Sequence, residues 1–499
     1  MVEDNNMQKK FKVCFIGAGS IGFTRKLLSD ILTVPEFQNI DIAFTDINEH
    51  NLDMVAQLCK RDIEAAGIPA RLVASTDRRE MLRGAKYVII CVRVGGLEAF
   101  TTDIEIPLRY GVDQCVGDTI CAGGLMYAQR DIPVMLDFCK DIREVAAPDC
   151  LVLNYANPNA MVTWTLNAYG GVRALGLCHG VEGGHRQIAA VLGEDIKDVE
   201  IICAGINHQT WYISVKVRGV EVPQSRILEG FMNHERYRET EKCRIDVMKR
   251  FGYYSTESNG HLSEYLPWYR KRHEDIPNWI HMDRWIDGQT GGYLRVCTEG
   301  RNWFETDFPN WLAAPPSAFT DENRSSEHGS YIIEGLETGR VYRGHFNVVN
   351  NGCITNLPDD AIIEVPGYVD YNGVNIPYIG DLPHGCAAVL NNSISVQRLG
   401  VLAGVAGDDL LLRQAMLLDP LVGAVCNTDE VWQMVDDMLI AQKQWLPQYA
   451  KAIEEAERRP RAVEPRYADY KGHRVPVKTI DELAQERSSG GADNRGRRQ

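Results

Sequence analysis

Three short segments place a thiol, imidazoles and amides where they could act together. GLCHGV puts Cys178 and His179 at the end of an apolar run. AGINHQTW offers Asn207 and His208, and NYANPNAMVTW offers Asn157 straight after another apolar run. In open α/β sheets the strand ends face the ligand crevice. A thiolate, an imidazole and amide oxygens suit a divalent transition metal. There is a plainer reading. A single Cys or His is more often a core or hydrogen-bonded residue, and an Asn after a strand is more often a turn residue. The spacing follows no zinc-finger rule, so the residues alone leave both readings open.

A second cluster has the chemistry of phosphate binding. FIGAGSIGF supplies Gly17, Gly19 and Gly22 in GxGxxG spacing, with Ser20 where a helix is predicted to begin. Glycines there permit a tight turn and close backbone approach to a pyrophosphate, and the helix N-terminus stabilises its charge. Asp46 closes the next predicted strand, IDIAFTD. A carboxylate at that point accepts bonds from an adenosine ribose and favours NAD over NADP. It could also simply cap the next helix.

These groups need a scaffold, and the sequence alternates strand and helix patterns. KVCFIG, IDIAFTD, RLVAST, AKYVIICV and CLVLNYANP read as strands, and NEHNLDMVAQLCKRDIEAAG as an amphipathic helix closed by Gly67. A short helix is expected around Arg78 to Leu82 and another near Ile132 to Ala146. Such alternation predicts an α/β fold with a Rossmann-type, doubly wound parallel sheet. ALGLCHG adds one more strand before a helix, VEGGHRQIAAVLG. Beyond it the pattern is mixed, with helices expected at about 224–250, 398–418 and 427–457. RVYRGHFNVVNN and AIIEVPGYVD read as antiparallel strands. The predicted domains are residues 1–195, binding NAD, and 196–485, an α+β domain for substrate, metal and oligomerisation. Residues 486–499 are expected to be a disordered tail.

Composition narrows the function. The 499 residues carry a formal net charge of −15, which argues against a nucleic-acid partner. No run approaches the roughly 20 apolar residues of a membrane span. MVEDNNMQKK lacks the apolar core of a signal peptide. The 14 cysteines include no CxxC pair, and Cys14, Cys91 and Cys150 lie in apolar runs. That usage predicts reduced thiols and a cytoplasmic protein.

Taken together, the motifs resemble glycoside hydrolase family 4. The resemblance rests on GAGS at 17–20, CVRVGG at 91–96, VGD at 116–118, NPNAMVTW at 157–164, CHGV at 178–181, GINH at 205–208 and TESNGHLSEYLPW at 256–268. It implies a lactate/malate dehydrogenase-like architecture, NAD and Mn(II) or another divalent metal as cofactors, and a homo-oligomer, dimer or tetramer. It also implies a glycosidase that oxidises sugar C3, removes the C2 proton, eliminates the aglycone, adds water and re-reduces. Such a cycle consumes no NAD, unlike the two-carboxylate scheme of other glycosidases. By that resemblance Cys178 and His208 hold the metal, Asp118 is the general acid, and Glu257 or Tyr265 is the base. His261 and Glu264 lie in the same segment. Asp118 could otherwise cap a following helix. Arg93 and Asn157 are assigned to the cofactor, and Asn157 also to the sugar hydroxyls. His179, Asn207, His261 and Arg284 are assigned to the substrate.

The substrate reading divides. In the family, CHG accompanies α-glucuronidases and related uronidases, so Gly180 points to an α-hexuronide, glucuronide or galacturonide. TESNGHLSEYLPW resembles the α-galactosidase branch, which is the alternative. A uronate needs a cationic donor near C6, and Arg93, Arg284 and Arg301 are the candidates. A reading from another class is a simple NAD-dependent dehydrogenase, which would accumulate NADH.

Overall fold

The computed structural model describes residues 10–282, 284–467 and 476–488. Six strands build the first half: β1 (Lys12–Ile16), β2 (Asp41–Thr45), β3 (Arg71–Ala74), β4 (Tyr87–Ile90), β5 (Leu151–Asn154) and β6 (Arg173–Gly176). They run parallel in the order β3-β2-β1-β4-β5-β6. This is the doubly wound order, and its direction reverses between β1 and β4. The central strands read as unbroken apolar runs because helices cover both faces. YVII and LVLN are buried at every position.

The helices follow from local signals. Asn48 caps helix Glu49–Ala66 by accepting from the Asn51 N–H, and Gly67 ends it in the left-handed conformation at φ 63°. Helix Arg78–Leu82 lies where the pattern placed it. The helix expected near 132–146 is the second half of a longer one, Cys121–Val145. Its first turns contain Gly123 and Gly124, which lower helix propensity. A side chain at Gly124 would meet the Thr119 carbonyl carbon at 2.5 Å, so close packing explains the glycine. All 14 cysteines are free thiols.

The second half supplies β7 (Val199–Ile206), β8 (Gln209–Val217), β9 (Val220–Glu221), β10 (Tyr342–Val349), β11 (Ile362–Asp370) and β12 (Gly373–Asn375). The segments read as antiparallel strands are β10 and β11. β10 joins β6 antiparallel, with Asn347 opposite Gly176, and β11 joins β7, with Glu364 opposite Gly205. One twelve-stranded sheet therefore runs through both halves. The last described helix is Ile480–Ser488. It takes in the first three residues of the tail expected from 486, and 489–499 lie outside the described residues. No helix among the described residues is long and apolar enough to cross a membrane.

Helix His384–Ala406 packs on helices Cys121–Val145 and Asn159–Ala168, joining the two halves through a shared core. A buried ion pair sits at this junction. Arg130 and Asp103, both 0% exposed, form two hydrogen bonds of 2.8 and 2.7 Å. Gln442 donates to Asp103 at 2.7 Å and accepts from Arg130 at 2.6 Å. Removing one partner strands a buried charge, at roughly 3–5 kcal/mol. Asp103→Ala is therefore expected to lower unfolding free energy by about that amount in a urea titration. A loss below about 1 kcal/mol would show the pair to be dispensable.

Candidate active site

The glycine turn follows β1 directly. Gly17 has φ +86°, and a side chain there would collide with the Cys91 carbonyl oxygen. The Gly17 and Ala18 N–H groups donate to the Thr45 carbonyl at 2.9 and 3.1 Å. Gly19 donates its N–H to Asp46 Oδ2 at 2.8 Å, and a Cβ on Gly19 would lie 2.9 Å from that oxygen. Asp46 therefore faces the turn at the end of β2. The helix after it is capped by Asn48, not by Asp46. Ser20 is the N-cap of helix Ile21–Leu32 but makes no side-chain cap bond, and Gly22 lies in the first turn. Uncapped N–H groups at a helix start are what a pyrophosphate uses.

A second group gathers where three chain regions meet. Cys178 follows β6. His208 stands in the two-residue turn between β7 and β8 at φ +63°, a left-handed conformation rare outside glycine. Glu257 comes from a segment laid along β8. There Thr256 donates its N–H to the Thr210 carbonyl at 2.9 Å, and Thr210 returns its N–H to Thr256 Oγ1 at 2.9 Å. His208 Nε2 lies 3.1 Å from Cys178 Sγ and 3.0 Å from Glu257 Oε2. The ligand-type atoms of all three lie within 4.8 Å of one another, and among the described residues no other group of three does so.

The group fits a divalent metal on its own chemistry. Sulfur, imidazole nitrogen and carboxylate oxygen are accepted donors. Glu257 Oε2 is buried without a well-formed hydrogen bond. Burial opposes charge throughout, yet Glu257 and Cys178 hold His208 well above its ordinary pKa. Burial also works against the Glu257 carboxylate, but the histidines hold it well below the usual range. Burial pushes the Cys178 thiol up to about 12. The centre thus favours positive charge on His208 Nε2, where a cation would sit. The other imidazole nitrogen, Nδ1, lies 2.9 Å from Thr119 Oγ1, and the Cys178 carbonyl lies 2.9 Å from His328 Nε2. Such outer contacts orient ligands. Glu257 was read as a base from sequence; here it stands in the metal-type group.

Gly180 is part of this arrangement. A Cβ on it would meet Glu257 Cγ at 2.5 Å and Cδ at 3.0 Å. The missing side chain makes room for Glu257.

Asp118 is 1% exposed. It accepts from Asn157 Nδ2 at 3.0 Å, Arg93 Nη2 at 3.3 Å and Thr119 Oγ1 at 2.9 Å. The residue preceding the next helix is Ile120, so Asp118 is not its N-cap. Arg93 stacks over Phe100 and Tyr127 at 4.3 and 4.7 Å. Tyr265 is buried with no well-formed hydrogen bond at its hydroxyl, which has Thr119 beside it, and both Asn207 amide atoms are unpartnered. His261 Nε2 lies 3.4 Å from Glu257, and its Nδ1 lies 2.8 Å from Ser258 Oγ. Burial lowers the His261 pKa to about 4, leaving a neutral ring. The His179 side chain is 57% exposed, with Nδ1 3.6 Å from Glu327 Oε1. Arg284 is half-buried, and no hydrogen bond among the described residues joins it to this cluster. Thr119, His328 and Glu327 escaped the sequence reading, and Glu264 was offered there only as a candidate base or a charged helix residue. Each is a common residue type whose placement depends on distant chain segments.

A nucleotide-type turn and a thiol–imidazole–carboxylate centre on one sheet define a cofactor-assisted enzyme. Residues 12–194 match the family 4 glycosyl hydrolases, and residues 203–422 match the C-terminal domain of that family. The chain belongs to the family 4 glycosyl hydrolases. It is 56% identical over 480 residues to an alpha-galactosidase of Rhizobium meliloti (strain 1021), covering 96% of this chain and 98% of that one. An alpha-galactosidase of Bacillus subtilis (strain 168) is 33% identical, covering 88% and 99%. A crystal structure of the putative glucosidase lplD from Bacillus subtilis superposes with a TM-score of 0.75 at 26% identity, covering 86% and 100%.

Gly180→Ala is expected to displace Glu257 and weaken Mn(II) binding by roughly tenfold or more in an electron paramagnetic resonance titration. Gly183→Ala is the control, since a Cβ there meets nothing within 4 Å. Equal affinity in the two variants would remove Glu257 from the metal centre.

Proposed function

We propose that the protein is an NAD- and Mn(II)-dependent α-galactosidase working by oxidation, elimination, hydration and reduction. The observation that carries this is the grouping of Cys178, His208 and Glu257 on the sheet that bears the glycine turn and Asp46. Family 4 enzymes are the NAD-dependent exception among glycosidases. NAD held at the glycine turn and Asp46 would supply a hydride acceptor for sugar C3, and a divalent metal held by Cys178, His208 and Glu257 would supply Lewis acidity, making the C3 hydroxyl proton easier to lose and polarising the ketone.

The chain supplies the remaining steps. Cys178, His208 and Glu257 hold the metal, with Thr119 fixing the His208 ring. The proton at C2 becomes acidic beside a C3 ketone, and Tyr265 removes it. Its buried hydroxyl has Thr119 beside it but makes no well-formed hydrogen bond, which suits a group that also meets substrate. Burial raises the Tyr265 pKa, Thr119 beside the hydroxyl works against that rise, and the charges of Asp118, Glu264 and Glu257 add to it. A cation among these groups acts in the opposite direction. Asp118 protonates the departing oxygen, oriented by Asn157.

The neutral sugar is favoured over a uronide by two features. The space that Gly180 opens is filled by Glu257, so it is not a pocket for a sugar carboxylate. Of the arginines named for such a carboxylate, Arg301 pairs with Glu98 at the surface, Arg284 joins no hydrogen bond to this cluster among the described residues, and Arg93 already pairs with Asp118 through Nη2, with Nη1 left without a hydrogen bond. Likeness to two proteins named alpha-galactosidase supports the same choice. A simple dehydrogenase is not the reading adopted, since the family is one of glycosyl hydrolases.

The test uses protein stripped of nucleotide and metal. Nitrophenyl α-galactoside, α-glucuronide and α-galacturonide are assayed with and without NAD⁺, Mn(II) and a reductant. The galactoside should be split fastest, only with both cofactors, and with no build-up of NADH. Preference for either uronide would overturn the substrate assignment. Tyr265→Phe should abolish exchange of the C2 hydrogen with deuterated solvent while leaving Mn(II) affinity unchanged. Persisting exchange would place the base elsewhere.

A further inference from the structure

Glu264 lies on helix Asn259–Tyr265 and is 2% exposed. Its segment offers it as a base or as a charged helix residue, and it is placed as neither. Its carboxylate points into the turn just before Asp118. Oε1 accepts from the backbone N–H of Cys115 and from that of Val116 at 2.6 Å, and Oε2 accepts from Gly117 N–H at 3.2 Å. Three successive amides thus converge on one side chain. Gly117 allows this with φ +59°, and a Cβ there would lie 2.6 Å from Ile104 Cδ1.

Two functional groups leave that turn at once. Asp118 reaches Asn157 and Arg93, and Thr119 reaches His208 Nδ1. The residue after Glu264 is Tyr265, so one helix end carries both the clamp and the proposed base. Buried N–H groups without an acceptor are costly. Lacking the carboxylate, the turn must move to find other partners, and Asp118 and Thr119 must move with it.

We propose that Glu264 is a positioning residue, clamping residues 115–117 so that one turn sets both the general acid and the orientation of the His208 ring. This deepens the reading in which Asp118 protonates the leaving group and His208 holds the metal, and it rests on that reading. Glu264 touches neither substrate nor cofactor in this role. A carboxylate can accept all three N–H bonds. An amide at the same place can keep the Cys115 and Val116 bonds but turns its NH₂ against the Gly117 N–H, so Glu264→Gln keeps the size and opens the clamp on the side next to Asp118.

The test compares Glu264→Gln with Asp118→Asn in the full-length enzyme loaded with NAD⁺ and Mn(II). Acid assistance matters little for a nitrophenol leaving group and greatly for methanol. The kcat/KM ratio of nitrophenyl to methyl α-galactoside should therefore rise in both variants, in Glu264→Gln by up to about 100-fold. Mn(II) should also bind Glu264→Gln more weakly. General loss of structure would lower both substrates alike, and thermal melting confirms that the variant is folded. If Asp118→Asn raises the ratio and folded Glu264→Gln does not, the clamp is overturned. If Asp118→Asn leaves the ratio unchanged, the acid assignment fails, and unaltered Mn(II) affinity in Glu264→Gln then overturns the clamp as well. Should Glu264→Gln not fold, Glu264→Asp, with the charge kept and the reach shortened, is measured by the same two readouts.

Discussion

A thiol, an imidazole and a carboxylate buried together favour positive charge between them. The Glu257 carboxylate is held anionic by the histidines, and burial makes an unpaired charge expensive. Cys178, His208 and Glu257 nevertheless sit within 4.8 Å of one another. Without a metal the positive charge is a proton on His208, whose pKa its two neighbours raise against burial. A divalent cation meets the same demand more fully. Most of the surrounding structure follows from keeping these side chains in place.

The sheet accomplishes this by changing direction. The parallel half delivers Cys178 at the end of β6, the usual ligand edge of a doubly wound sheet. A parallel strand has no tight turn at hand to bring a second ligand beside the first. The antiparallel extension does. The β7–β8 hairpin presents His208 from a turn that holds it at φ +63°, and β8 binds the Ser255–Thr256 segment that carries Glu257. Gly180 completes the fit by leaving its own volume to that carboxylate. Asp118, Tyr265 and Glu264, the proposed acid, base and clamp, stand around the same centre, so the proposal couples acid, metal and base geometry through a few residues.

Much of this was legible before any coordinates. The glycine turn, Asp46 and the alternating runs specify a Rossmann-type sheet because each signal is local and has a single physical meaning. Cys178, His208 and Asp118 were marked by the motifs that frame them. Other features were hidden for physical reasons. The hairpin turn at Asn207 and His208 lacks glycine, so Asn207 is its one turn signal. Helix Cys121–Val145 begins with glycines chosen for packing and not for propensity. Glu257 and Glu264 are ordinary glutamates in sequence, and only distant contacts separate a metal-type carboxylate from a backbone clamp. Gly180 is ambiguous in the same way. A missing side chain announces space without saying what fills it, and here the occupant is another residue of the chain.

The central claim is that three side chains share one cation. Crystals soaked with Mn(II) and measured at the manganese absorption edge locate that ion directly. The account expects a single strong anomalous peak bonded to Cys178 Sγ, His208 Nε2 and Glu257 Oε2 together. A peak bonded elsewhere, or one from which the Glu257 carboxylate has turned away, would contradict it.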